Sequence, residues 1–310
     1  MKIIDAPLSG RLTGRTTIIG GGTVRRVSVR RLVYRHNDDR RRWNVDVTTH
    51  ELPVPGAKLY YELRGSGPLM LLIGCPMEAM FFGAMADALG ADHTVVTYDP
   101  RGISHSIVDD LDAPVTPDVH AGDLHAVIAA VGDGPADVFG SSGGAVNGLA
   151  LAARHPEDVR TLVAHEPPLS CFLPDAADVD AGVDAIVGTY RTDGAGAAFG
   201  RFLALCGFDL PDGEAPPMPP NPYQEQNDRH FFLNLIRPTT RYRPDADALR
   251  KAGPRVVIGA GADSGRQLAA RTARATAAAI GVPLVEFAGD HGGFLGEPEP
   301  FLATLRGVLA

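Results

Sequence analysis

From Val45 onward, short apolar runs and helical stretches alternate along the chain, and that rhythm leaves few architectures open. LMLLIG (69–74), TVVTYD (94–99), ADVFG (136–140), VRTLVAHE (159–166), PRVVIGAG (254–261) and VPLVEFAG (282–289) are short, largely continuous apolar segments, as expected of strands covered on both faces. Between and after them, 78–89, 118–131, 144–154, 264–280 and 298–309 carry helical patterning. Strands and helices in this order predict an α/β fold with a mostly parallel sheet flanked by helices. Ahead of it, VDVTTHELPV and AKLYYELRG, parted by Pro55-Gly56, read as a hairpin.

The rhythm stops between 170 and 250, where helical stretches near 180–190, 196–205 and 223–236 surround the proline-rich PDGEAPPMPPNP. We read this segment as a helical cap inserted into a core formed by 44–169 and 251–310. Phe199, Phe202, Leu203, Leu205, Phe208, Phe231, Phe232 and Leu235 either line an apolar cavity in the cap or attach it to the body.

Chemistry concentrates in ADVFGSSGGAVNGLALAARHP. Gly140-Ser141-Ser142-Gly143-Gly144 follows an expected strand and opens an expected helix, the setting required of a G-x-S-x-G nucleophile elbow. The turn presents Ser142 at the carboxyl edge of the sheet, where sites of parallel sheets form. A serine nucleophile needs an imidazole to take its proton and an acid to orient that imidazole. Of the ten histidines, only His291 follows the last expected strand, in FAGDHGGF, and the paired glycines allow its loop to fold back. Asp263, just past the 254–261 strand, is the preferred acid; Glu166, just past the preceding strand, is its rival, and Asp290, adjacent to His291, is expected to point elsewhere or to hold the loop. Oxyanion donors are expected from the Gly143 N–H, at the positive end of a helix, and from the Cys75 N–H in the loop after 69–74. Cys75 itself as the nucleophile has no evident partner histidine.

Charge narrows the range of partners. Residues 1–43 hold eleven basic and three acidic side chains, leaving eighteen basic against thirty-four acidic in the rest. This basic extension has few aromatics for base stacking, and the acidic body repels polyanions, so nucleic acid is not the expected substrate. IIGGG at 18–22 lacks the glycine spacing and the following helix of a dinucleotide site. The three cysteines, Cys75, Cys171 and Cys206, fit neither a disulfide framework nor a metal motif, which favours a reducing, cytoplasmic setting. No apolar run approaches a membrane span, and no secretion signal is evident. Composition leaves the oligomeric state open.

Taken together, Gly74-Cys75-Pro76, the 99–106 stretch DPRGISHS, the elbow at Ser142, Asp263 and His291 resemble the α/β-hydrolase fold family over roughly 45–310. Ile73-Gly74 stands where the family commonly has His-Gly, and Ser104 where D-x-R-G-x-G-x-S has its second glycine. Serine at 142 disfavours the dehalogenase and epoxide-hydrolase branches, whose nucleophile is aspartate. The resemblance implies a serine hydrolase acting on a small or medium carboxylic ester, with no metal or organic cofactor. The alternatives are a lactone or carbon–carbon bond hydrolase, in which His165 or Glu166 supplies a second acid–base group, and a non-catalytic ligand-binding protein on a hydrolase scaffold.

Overall fold

A computed structural model describes residues 46–132, 134–208, 221–251 and 253–310. The basic extension, and the proline-rich cap stretch up to residue 220, lie outside the described residues. Nine strands of the described residues form one sheet, in the order β1-β2-β4-β3-β6-β7-β8-β9, with β5 paired to β2. The hairpin expected on either side of Pro55-Gly56 is β1 (Val47–Val54) and β2 (Ala57–Arg64), antiparallel from Val47↔Arg64 to Val54↔Ala57. Next come β3 (Leu69–Ile73), helix α1 (Gly83–Leu89), β4 (Thr94–Tyr98), the short β5 (Ile107–Val108) and α2 (Pro117–Val131). β6 (Ala136–Ser141), α3 (Gly143–Arg154) and β7 (Val159–His165) complete the first half of the core.

From β4 to β9 every neighbouring pair is parallel, and only the β1–β2, β2–β4 and β2–β5 pairs are antiparallel. The central strands therefore need apolar side chains on both faces. β6 is buried throughout, and two clusters cover the sheet. Leu71, Val96, Val138, Leu162 and Ile258 pack with α2 and α3 on one face. Met70, Leu72, Phe139, Val163 and Val257 pack on the other with α1 and the C-terminal helix.

Between β7 and β8 (Arg255–Gly261) the described residues are mainly helical: α4 (Ala176–Asp193), α5 (Ala195–Cys206), α6 (Gln224–His230), α7 (Ile236–Thr240) and α8 (Ala246–Lys251). A π turn, Phe231–Leu235, joins α6 to α7, so the single helix expected over 223–236 is three pieces. This is the inserted cap. Phe199, Phe202, Leu205 and Phe231 pack around Val183, Ile186, Val187, Ala198, Phe232 and Ile236, forming the cap's own core. Leu235 differs, packing with Ile103, Val115 and Cys75 of the body. α9 (Leu268–Ile280), β9 (Leu284–Phe287), α10 (Gly293–Gly296) and α11 (Pro298–Leu309) close the fold. No helix of the described residues is long and apolar enough to cross a membrane.

Candidate active site

The parallel register brings the carboxyl ends of four strands side by side. Ser141 lies opposite His165, His165 opposite Gly259, and Gly261 opposite Phe287. Ser142 stands alone between β6 and α3 with φ 56° and ψ −122°, a conformation that L-residues rarely adopt. Its N–H donates to the His165 carbonyl at 3.0 Å, which ties the elbow to the end of β7. The glycines after it are required by close approach. A Cβ on Gly143 would lie 2.4 Å from the Cys75 carbonyl oxygen, and one on Gly144 2.2 Å from that of Ile73. The elbow thus presses against the loop after β3, beside the two residues expected to supply oxyanion donors. The Gly143 amide opens α3, where the first N–H groups have no intrahelical acceptor and the helix end is positive.

His291 lies in the loop between β9 and α10, and its Nδ1 is 2.7 Å from Glu166 Oε2. Glu166 is fully buried, and its other oxygen accepts the Gly261 N–H at 2.9 Å. Burial pushes this carboxyl up, but the His291 hydrogen bond and the His291 charge outweigh it and hold it below its usual range. His291 therefore meets Glu166, the rival acid in the sequence, rather than the preferred Asp263. Asp263 is exposed, and what anchors it is its backbone N–H, donated to the Gly289 carbonyl at 2.9 Å. The physical reason lies in Glu166, whose φ of 50° turns the chain at the end of β7 while Gly261 at the end of β8 fixes the carboxylate beneath the imidazole. Asp290 holds the loop as expected, its Oδ1 accepting the Gly292 N–H at 2.9 Å. Three non-glycine residues of the described chain have positive φ, namely Ser104, Ser142 and Glu166. Backbone strain of this kind gathers where a site over-determines its geometry.

His165 lies beneath this pair in an aromatic box. Its ring centroid is 6.2 Å from that of His291, 5.3 Å from Phe301 and 5.6 Å from Phe287. Neither ring nitrogen has a hydrogen-bond partner among the described residues, and burial lowers its pKa to about 4, so it is neutral at pH 7.

Cys75 is buried, and the structure supplies the histidine that its sequence neighbourhood lacks: Cys75 Sγ is 3.9 Å from His120 Nε2. Burial pushes the thiol up to about 12 and the imidazole down to about 3. Both are neutral, so this pair generates no thiolate, and the side chain serves packing. The Cys75–Pro76 peptide is cis.

The loop after Cys75 is held by groups that sequence reasoning missed. Buried Glu78 accepts Asn221 Nδ2 at 2.7 Å and Asn227 Nδ2 at 2.6 Å, both from the cap. Asn227 also accepts the Ser104 N–H at 2.8 Å and donates to Ser104 Oγ at 3.1 Å. Ser104 has φ 48°, which explains why a glycine suits that position, and its hydroxyl gives the cap a second anchor. Asp99 Oδ1 accepts the Ala79 N–H at 2.9 Å, while Oδ2 receives the His105 backbone and ring nitrogens at 3.1 and 2.8 Å. The 99–106 stretch is thus a brace between the β4 turn, the loop after β3 and the cap. Asn227 lies 149 positions from Glu78, and no local signal in the sequence connects them.

Comparison with known proteins agrees with this architecture. The chain is 32% identical over 265 residues to the uncharacterized hydrolase YraK of Bacillus subtilis, covering 83% of this chain and 94% of that protein. Among solved structures, a carboxylesterase study of Nitrososphaera gargenis superposes with a TM-score of 0.63 at 19% identity, over 84% of this chain and 97% of the other. The enol-lactonase of Burkholderia xenovorans gives 0.61 at 17% identity, over 84% and 99%. Residues 67–229, from the strand before the Cys75 loop to the cap helix carrying Asn227, match the family described as alpha/beta hydrolase fold. The chain, with its elbow, its parallel sheet and its inserted helical cap, belongs to the α/β-hydrolase fold family.

Proposed function

We propose that this hydrolase is a serine-dependent esterase of small or medium carboxylic esters, with Ser142 as nucleophile, His291 as general base and Glu166 as the acid that orients it. The observation that carries the reading is the 2.7 Å contact between His291 Nδ1 and the fully buried Glu166, beside the strained Ser142 elbow. With Nδ1–H held by the carboxylate, Nε2 is the free base. Ser142 Oγ attacks the acyl carbon as its proton passes to His291, and Glu166 balances the imidazolium charge. The N–H groups of Gly143 and Cys75 receive the oxyanion of the tetrahedral intermediate. His291 then protonates the leaving alcohol, giving an acyl-enzyme on Ser142. Water, deprotonated by His291, attacks this ester and releases the carboxylic acid. The cap meets the body beside the proposed oxyanion loop, where Leu235 packs with Cys75.

A carbon–carbon bond hydrolase would need a second acid–base group. Glu166 is engaged on both oxygens, by His291 and Gly261, and His165 is enclosed by aromatic rings, which favours the ester reading. Intact-mass kinetics with p-nitrophenyl esters, lactones and thioesters, alongside Ser142→Ala and a fluorophosphonate probe, tests the proposal. An acyl adduct on the wild type that is absent from Ser142→Ala supports it. Turnover of lactones without esters would move the substrate class. Absence of both adduct and labelling would favour a ligand-binding role.

A further inference from the structure

At the far end of α3 from Ser142, four metal-ligating side chains converge on a surface that the hydrolytic chemistry does not use. His125 comes from α2, His155 caps the C-terminus of α3, and Glu157 and Asp158 lie in the 3-10 turn that leads into β7. His125 Nδ1 is 2.6 Å from Asp158 Oδ2, and His155 Nδ1 is 3.8 Å from Glu157 Oε1. The two imidazoles stack with centroids 4.2 Å apart and planes 13° from parallel. One ligand atom from each of the four residues falls within 4.8 Å of every other.

We propose that His125, His155, Glu157 and Asp158 bind one divalent transition-metal ion of the zinc class. A tetrahedral ion with ligands at about 2.0–2.2 Å spaces its donors about 3.4 Å apart. Because an imidazole lone pair lies in its ring plane, the two stacked rings must tilt apart for both nitrogens to meet one ion, and the 4.8 Å span of the four ligand atoms leaves that reach to side-chain rotation alone. Two imidazole nitrogens with two carboxylate oxygens suit zinc, cobalt or nickel better than magnesium or calcium, which prefer an all-oxygen shell. Two carboxylates also neutralise a divalent charge, and the ion takes the place of the hydrogen bond between His125 and Asp158. Both histidines are partly exposed, at 44% and 26% of their side-chain surface, whereas Glu157, at 66%, must be ordered on binding. α3 has 12 residues, so the ion would sit about 18 Å from the elbow. At that distance it acts as a staple, linking α2 to the turn between α3 and β7.

Cobalt and zinc are the probes. The untagged 310-residue chain, stripped with chelator and desalted, is titrated with Co2+ while visible absorption is recorded, and with Zn2+ by calorimetry. The expected result is one equivalent bound with d–d bands of a four- or five-coordinate ion, at an affinity that falls at least about tenfold in His125→Ala and in His155→Ala. His291→Ala should bind as the wild type does, separating this site from the candidate catalytic histidine. Asp158→Asn, which keeps the side-chain shape, provides a second variant should an alanine change perturb folding. Zinc should also raise the melting temperature of the wild type by several degrees and leave that of His155→Ala unmoved. Absence of saturable binding, or equal affinity in the wild type and all three site variants, would overturn the proposal, and loss of binding in His291→Ala alone would reassign the ion to the catalytic pair.

Discussion

Replacing Glu166 by glutamine tests the least obvious element of the proposed mechanism. The native carboxylate accepts two hydrogen bonds, from His291 Nδ1 at 2.7 Å and from the Gly261 N–H at 2.9 Å, and it is fully buried. Glutamine has one acceptor oxygen and one amide nitrogen. If its oxygen keeps Gly261, its NH2 faces His291, which then presents Nδ1 as an acceptor and carries its proton on Nε2, the nitrogen that must accept from Ser142. The alternative orientation sets two donors against each other at Gly261. Converting the acid of a triad to its amide costs about four decades in kcat where the tautomer is inverted. Partial rescue by rotation of the side chain places the expected loss at about 10³–10⁴, or about 4–5 kcal/mol of transition-state stabilisation. Asp263→Asn, at an exposed position, should stay within about twofold of wild type. Steady-state kinetics on one chromogenic ester, with circular dichroism to verify folding, suffices. The reasoning is refuted if Asp263→Asn falls as far as Glu166→Gln, or if Glu166→Gln keeps more than about a tenth of the activity.

Three further outcomes follow from the packing. Gly143→Ala drives a Cβ to within 2.4 Å of the Cys75 carbonyl and pushes apart the two proposed oxyanion donors. We expect kcat to fall by about 10²–10³ with KM little changed, and an unaltered kcat would remove Gly143 from the oxyanion site. Asn227→Ala leaves Glu78 with one of its two cap donors, and should cost about 1–3 kcal/mol in urea unfolding; a loss below about 0.5 kcal/mol would mean that the brace is not coupled to stability. His120, His165 and His230 are buried, and desolvation lowers their pKa values to about 3, 4 and 4 from 6.5. The unfolded chain therefore takes up these protons first. Their contribution is complete above pH 6.5 and is lost as pH falls towards 4, with a slope approaching about 4 kcal/mol per pH unit near pH 5. Urea midpoints measured from pH 7 to 4.5 should drop steeply, and His165→Phe should flatten that slope by about a third; a flat wild-type profile would show that these rings are already solvated.

Much of this protein was legible in the order of its residues. The alternation of apolar runs with helical stretches determined the mostly parallel sheet, because a strand covered on both faces has no polar side to show. Gly140-Ser141-Ser142-Gly143-Gly144 determined the elbow, because only small neighbours allow its backbone to meet the Cys75 loop. His291 was singled out from its place after the last strand, and the fold sets its ring against Glu166. The acid was not decided at that level. Glu166 and Asp263 each follow the end of a neighbouring strand, and strand periodicity gives them equal standing. What sets Glu166 rather than Asp263 against His291 is a positive φ at Glu166 and the Gly261 N–H, a donor 95 positions away that exists only once β7 and β8 are paired. The cap phenylalanines were ambiguous for the same reason, since hydrophobicity tells that a side chain will be buried but not against which partner. The Glu78–Asn227 brace and the His125–His155 stack likewise join segments remote in sequence. Local order dictates what each segment becomes, whereas the meeting of side chains from different segments depends on chain geometry that only the assembled fold supplies.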